Sequence, residues 1–308
     1  MDYLKPDKIW SYLGVKSEEE FKDRYLLKGK FHSLVPEKII KDYEVVERIT
    51  FYSYFHYPLL DEAFSKSTRL FEASVTLKLE NLGIKKNGFE PLHSKLKRLE
   101  KYTSQGLYDL WKQAKEIRND FAHREAGVSI GIVLINAFKH NLNMINSLFL
   151  NLETIEEKEN QFNVLLNQSE HFENGFFILE YQNKKILVRG AKPYTSGIFK
   201  LTGQSLWVFI PITGEKDIEK SSDLPKSFIL RLENVIIDET CLLATCPTTT
   251  EQIKLIDTSK PENIEKFIQH DKRIELLEAK TSTVSLEYMA MLHHNILKEV
   301  SRFLYDDW

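Results

Sequence analysis

The chain has 308 residues, which at ~150 residues per domain predicts about two domains. Hydrophobic residues make up 42% and charged residues 28%, ordinary globular usage that excludes a disordered, collagenous or disulfide-framed chain. Forty-two basic residues against 45 acidic ones leave a net charge of −3, so any contact with nucleic acid must come from a local patch.

Residues 1–45 read as a charged, helical N-terminal appendage punctuated by Pro6 and Pro36. The opening residues lack the apolar stretch of a secretion signal. Ser17, followed three residues later by Glu20, predicts a capped helix start. From 46 to 152 the period is helical. Leu60, Ala63, Phe64, Ser67, Leu70, Phe71, Ser74 and Leu77 recur at three- and four-residue steps, and Gly83 follows as a stop. A shorter pattern covers 92–102. A third runs from Leu107 to Ala122, with Leu107, Leu110, Trp111, Ala114, Ile117 and Phe121 on one face. The fourth, Val128 to Leu150, is apolar on more than one side. It must therefore be central or bury a second face against another subunit. Asn136, Lys139, His140, Asn141 and Asn143 interrupt it, which argues against a membrane span. Four helices with short connections predict a bundle.

At 153–165 the composition turns polar, as in a linker or helix end. Beyond it the pattern is strand-like at 176–179, 186–188, 206–210, 228–232 and 235–237, with turn signals at Gln182-Asn183, Pro193, Gly203 and Thr213-Gly214. A small, mainly antiparallel sheet to about 257 is expected, then helices over the last fifty residues. Trp207, Phe209, Phe176 and Phe177 could stack bases, but strand aromatics are more often core. The expected fold class is α+β, with an appendage at 1–45, a helical bundle at 46–152 and a β-rich domain with C-terminal helices at 160–308. Cys241 and Cys246 match no zinc-knuckle spacing and read as reduced thiols of a cytoplasmic protein.

A scan for catalytic motifs finds no phosphate-binding lysine loop, dinucleotide fingerprint, nucleophile elbow or HExxH pair, so neither a cofactor nor a metal is expected. His293 and His294 point two ways off one helix and do not share a metal easily. One segment stands apart: Arg118-Asn119-Asp120-Phe121-Ala122-His123. Arg118 falls on or beside the apolar stripe, where an unpaired guanidinium costs several kcal/mol, so it needs a carboxylate partner or a task. Histidine exchanges protons near pH ~6.5. Arginine grips a phosphate bidentately and stabilises charge developing on it. Arg118 and His123, with Asn119 orienting the imidazole or the phosphate, suit attack of an RNA 2′-hydroxyl on its own phosphate without a metal. Glu116 and Asp120 could tune the imidazole or pair with Lys112 or Arg124.

The segment resembles the RxxxxH motif, in its R-N-x-x-x-H form, of the HEPN-domain ribonucleases, and its place at the end of the third long helix of a bundle is similar to theirs. The resemblance covers residues 46–152. It implies an up-and-down four-helix bundle with Arg118, Asn119 and His123 catalytic. It also implies a homodimer whose two motifs form one cleft, and cleavage of tRNA, mRNA or rRNA in a toxin–antitoxin or anti-phage setting, with an antitoxin or defence partner. The tyrosine found two residues after the histidine in some HEPN toxins is Glu125 here, so silencing by its modification is not implied. Residues 84–124 carry ten Lys and Arg against five acids, which fits a phosphate-binding groove using Lys112, Lys115 and Arg124, or a solvated helix face. The rival expectation is a non-catalytic scaffold whose β domain recognises a partner or signal. No membrane contact is expected.

Overall fold

Ser17 Oγ accepts the Glu20 amide at 3.2 Å and Glu20 in turn accepts the Lys16 amide at 2.9 Å, so the predicted cap starts a helix at Glu18. The structure is a computed structural model and describes residues 4–85, 88, 90–122, 131–196, 203–212, 224, 226–280 and 283–308. Its helices in the N-terminal half are α1 (Lys8–Tyr12), α2 (Glu18–Tyr25), α3 (Glu37–Tyr52), α4 (Leu59–Asn81), α5 (Leu92–Leu99), α6 (Gln105–Ala122) and α7 (Ile135–Leu148). The chain forms two units. One runs to Glu156 and includes Leu304–Asp306 and Trp308; the other spans Glu157–Phe303 with Asp307.

The first unit is not the expected four-helix bundle. Trp10 of α1, Phe21 of α2 and Ile39 and Tyr43 of α3 belong to the same buried core as α4, α6 and α7. α5 is only eight residues long, too short to run the length of a bundle. α3, which begins before the expected boundary at 46, packs along α4 instead. α4 buries the stripe its period dictates, from Leu60 through Ser74, then continues through Val75 and Leu79 rather than Leu77.

α7 is central. Every residue from Asn141 to Leu148 is buried, polar ones included. The asparagines that interrupt its apolar run bind neighbouring segments of the same unit. Asn141 Nδ2 donates to Ser67 Oγ at 3.1 Å, Asn146 Nδ2 to the Lys30 carbonyl at 2.9 Å, and Asn143 Oδ1 accepts Trp308 Nε1 at 2.8 Å. From Asn141 to Leu148 the helix is thus enclosed within one chain, whereas Ile132 and Ile135 of its second apolar stripe are partly buried and Val128 lies outside the described residues.

Gly131 enters α7 through a short 3₁₀ turn with φ +54°, and a Cβ there would lie 1.7 Å from Tyr57 Oη. That hydroxyl is committed, since it accepts the Ile132 amide at 3.0 Å, while the Gly131 amide donates to Asp61 Oδ1 at 3.1 Å. Gly131→Ala therefore combines left-handed strain with a clash against a buried ring. The expected loss is about 2–4 kcal/mol, read from urea midpoints; an unchanged midpoint would contradict this packing.

The second unit corrects the expectation of a small open sheet. Its strands β1 (Phe177–Tyr181), β2 (Lys184–Ser196), β3 (Ser205–Pro211), β4 (Phe228–Ile237), β5 (Cys241–Thr245) and β6 (Gln252–Asp257) form a closed barrel of antiparallel neighbours. β1 pairs with both β2 and β6. Register shifts in β2, between Val188 and Ala191 and between Pro193 and Thr195, and one in β4 supply the curl that closes the sheet. Gly190, at φ +83°, sits in the first shift, where a Cβ would meet the Glu173 carbonyl at 2.6 Å. Gln182 and Asn183, both at positive φ, make the two-residue turn from β1 to β2.

Side chains fill the interior, among them Phe177, Leu179, Trp207, Phe209, Leu232 and Leu255. Trp207, Phe209 and Phe177 are therefore core; they offer no stacking platform. α8 (Leu152–Glu173) contributes Phe172 to this core, so the polar stretch at 153–165 is helix. Glu153, Glu156, Glu157, Asn160 and Gln161 form its solvated face, with Gln161 bonded to Glu157, while Lys158 is buried. α9 (Pro261–Lys280) and α10 (Val284–Asp307) follow, and Leu292 and Ile296 of α10 pack on Val208 of the barrel wall. Cys241 and Cys246 are free thiols. No helix among the described residues is long and apolar enough to cross a membrane.

Candidate functional site

α6 carries the motif from Arg118 to Ala122 and is anchored by its apolar face. Trp111 and Ala114 are fully buried, and Trp111 Nε1 donates to Ser147 Oγ on α7 at 2.8 Å. Arg118 lies one turn beyond Ala114, at the margin of that face, with its side chain 34% exposed. It is neither sealed in the core nor loose in solvent.

Its partner is Glu72 of α4. Arg118 Nη2 donates to Glu72 Oε2 at 3.3 Å, and Arg118 Nη1 donates to Asn119 Oδ1 at 3.1 Å. The other oxygen of the same carboxylate, Oε1, accepts Lys95 Nζ of α5, also at 3.3 Å. Lys95 and Glu72 are only 15% and 27% exposed. Three helices thus converge on one carboxylate. Among the described residues of this cluster two cations share one anion, an excess of positive charge, and Arg118 keeps further N–H donors for a phosphate oxygen. A shared carboxylate also restricts both cations with a single ordered acceptor, which an isolated surface pair does not do.

The remaining expected site residues fall as follows. Lys112 pairs with Asp109 at 2.5 Å and lies over the Tyr108 ring; the Asp109 hydrogen bond holds its pKa above the ordinary lysine value. Lys115 pairs with Glu116, so that carboxylate is engaged by its neighbour on α6. Asp120 is in the last turn of α6, and its side chain, like the whole of His123 and Arg124, lies outside the described residues. Arg118, Asn119, Glu72 and Lys95 are the four groups the structure brings together.

Glu72 and Lys95 were missed as site residues. A signal was present for the first: Glu72 directly follows Phe71 on the α4 stripe, and a guanidinium beside an apolar face calls for such an acid. Among the described residues, no group of three or more His, Cys, Asp or Glu side chains is placed to hold a metal ion. Comparison with protein-family models, curated proteins and solved structures finds no match for this chain.

Proposed function

We propose that the C-terminal end of α6 binds and cleaves RNA as a cytoplasmic endoribonuclease, the activity implied by the motif's resemblance to HEPN enzymes. The observation that carries this reading is the shared Glu72 carboxylate, which orients Arg118 and Lys95 while leaving their combined charge positive. Arg118 would hold a non-bridging phosphate oxygen and stabilise the charge that develops on it. His123 would exchange the proton. The 2′-oxygen attacks phosphorus in line, the P–O5′ bond breaks, and the proton lost from the 2′-hydroxyl is matched by one gained at the 5′-oxygen. The products are a 2′,3′-cyclic phosphate and a 5′-hydroxyl. Nothing in this scheme asks for a metal, and a second copy of the chain would bring its own motif to the same cleft, as the resemblance implies.

The test is incubation of end-labelled total tRNA, mRNA and rRNA with purified full-length protein in EDTA. Chelator-resistant cleavage leaving 2′,3′-cyclic phosphate ends is expected. Intact RNA, or ends carrying a 5′-phosphate, would overturn the proposal.

A further inference from the structure

The second unit carries a cleft of about 740 Å³ on the outer wall of its barrel, within the size range of small-molecule sites. Its floor is a row of branched aliphatic side chains. Ile178 of β1 stands opposite Leu187 of β2 on one side and Ile256 of β6 on the other, all three on the solvent face. Ile212, whose amide donates to the Leu187 carbonyl at 2.9 Å, extends that row. The next outward-facing row is ionic, with Glu180 opposite Lys185 and Lys254, and Lys185 pairs with Glu180 at 2.6 Å. The cleft therefore runs from apolar to charged across one pleat spacing.

Its far wall is the segment from Asp257 into the first turns of α9. That wall is fixed on the barrel. Phe267 stacks on Phe176 with ring centroids 4.9 Å apart, and Arg189 of β2 pairs with Asp271 at 2.9 Å. Lys260 and Lys266 project from it and have no ion-pair partner among the described residues. Of the two acids on this rim, Asp257 is engaged by His171 at 2.9 Å, and Glu262 stands beside the lysines. Asn263 Nδ2 donates to Thr258 Oγ1 at 2.8 Å, which fixes the amide and leaves its oxygen to accept; Ser259 adds a hydroxyl.

We propose that this cleft binds a nucleoside phosphate, its base lying on Ile178, Leu187 and Ile256 and its phosphate meeting Lys260 and Lys266. Each feature excludes a simpler ligand. Inorganic phosphate would leave the aliphatic row in water. A fatty acid would cover that row and leave the Asn263 amide and the Ser259 hydroxyl unanswered. A base with its sugar has an apolar face and a hydrogen-bonding edge together, and its phosphate matches the unpaired lysines. The fixed wall means little ordering cost on binding. The nucleoside phosphate could be a free nucleotide or the terminus of an RNA strand. The proposal does not depend on the first unit's activity.

The experiment is calorimetric titration of the full chain with each ribonucleoside triphosphate and with a short RNA, with sodium phosphate and laurate as controls. Saturable binding of a nucleotide or of the RNA is expected, weakened about tenfold or more in the Lys260→Ala/Lys266→Ala double variant. Binding of triphosphates identifies a free nucleotide; RNA binding that the double variant loses, with no triphosphate bound, identifies a strand end and is distinct from any binding at α6. The proposal is overturned if neither saturates below about 1 mM, if the double variant binds equally well, or if phosphate or laurate binds as tightly as the nucleotides.

Discussion

Alanine in place of His123 is expected to lower chelator-resistant RNA cleavage by about 10²–10⁴-fold, the usual contribution of one positioned proton donor or acceptor. Arg118→Ala should fall by about 10²–10³-fold, the usual cost of removing a donor aimed at developing charge. Arg118→Lys should recover little, because an ammonium cannot hold Glu72, Asn119 and a phosphate oxygen with one planar fork. Glu72→Gln separates positioning from mere packing. It removes the anion that holds both Arg118 and Lys95, so the local charge becomes more positive while the guanidinium loses its fixed direction. RNA should then bind more tightly, with KM falling, while kcat drops; a purely structural Glu72 would not split the two constants. Initial rates on a labelled RNA give both, and urea midpoints check that each variant is folded. Cleavage by His123→Ala at the wild-type rate would show that the imidazole has no part in the reaction.

How much of this was legible depends on the range of the interaction. The α4 stripe and the Ser17 cap are local patterns and emerge where the spacing puts them. The two-sided apolarity of α7 correctly signals a helix enclosed by others, but spacing cannot say which segments enclose it. Residues 28–32 and the last residues of the chain supply that cover through Lys30, His32 and Trp308. Barrel closure is less visible still. β5 has five residues, and β6 alternates Gln, Ile, Lys, Leu, Ile and Asp without a marked apolar run, yet these two strands complete the ring by pairing with β4 and β1. The Glu72–Arg118 pair joins residues 46 apart in sequence, so a motif scan finds its basic half alone.

Acid should destabilise the first unit through His140. Its Nε2 is buried without a partner, the ring's hydrogen bond goes to the Leu110 backbone, and burial pushes its pKa down to about 4. Burial lowers His32, in the same unit, in the same direction. A histidine held neutral in the fold but free to protonate when unfolded stabilises fully above its unfolded pKa of ~6.5. Below that pH the unfolded chain takes up a proton that the folded one refuses, so stability falls with pH until about pH 4, where both forms are charged. The fall attributable to His140 is at most about 3 kcal/mol. His140→Asn places an amide N–H where Nδ1 meets the Leu110 backbone and removes the titration. Its stability should be close to wild type at pH 7 and exceed it as pH drops from 6.5 towards 4. Trp10, Trp111 and Trp308 all lie in the first unit, so tryptophan fluorescence in urea mainly follows that unit. Parallel pH dependences for the two proteins would mean that the imidazole reaches water in the folded state.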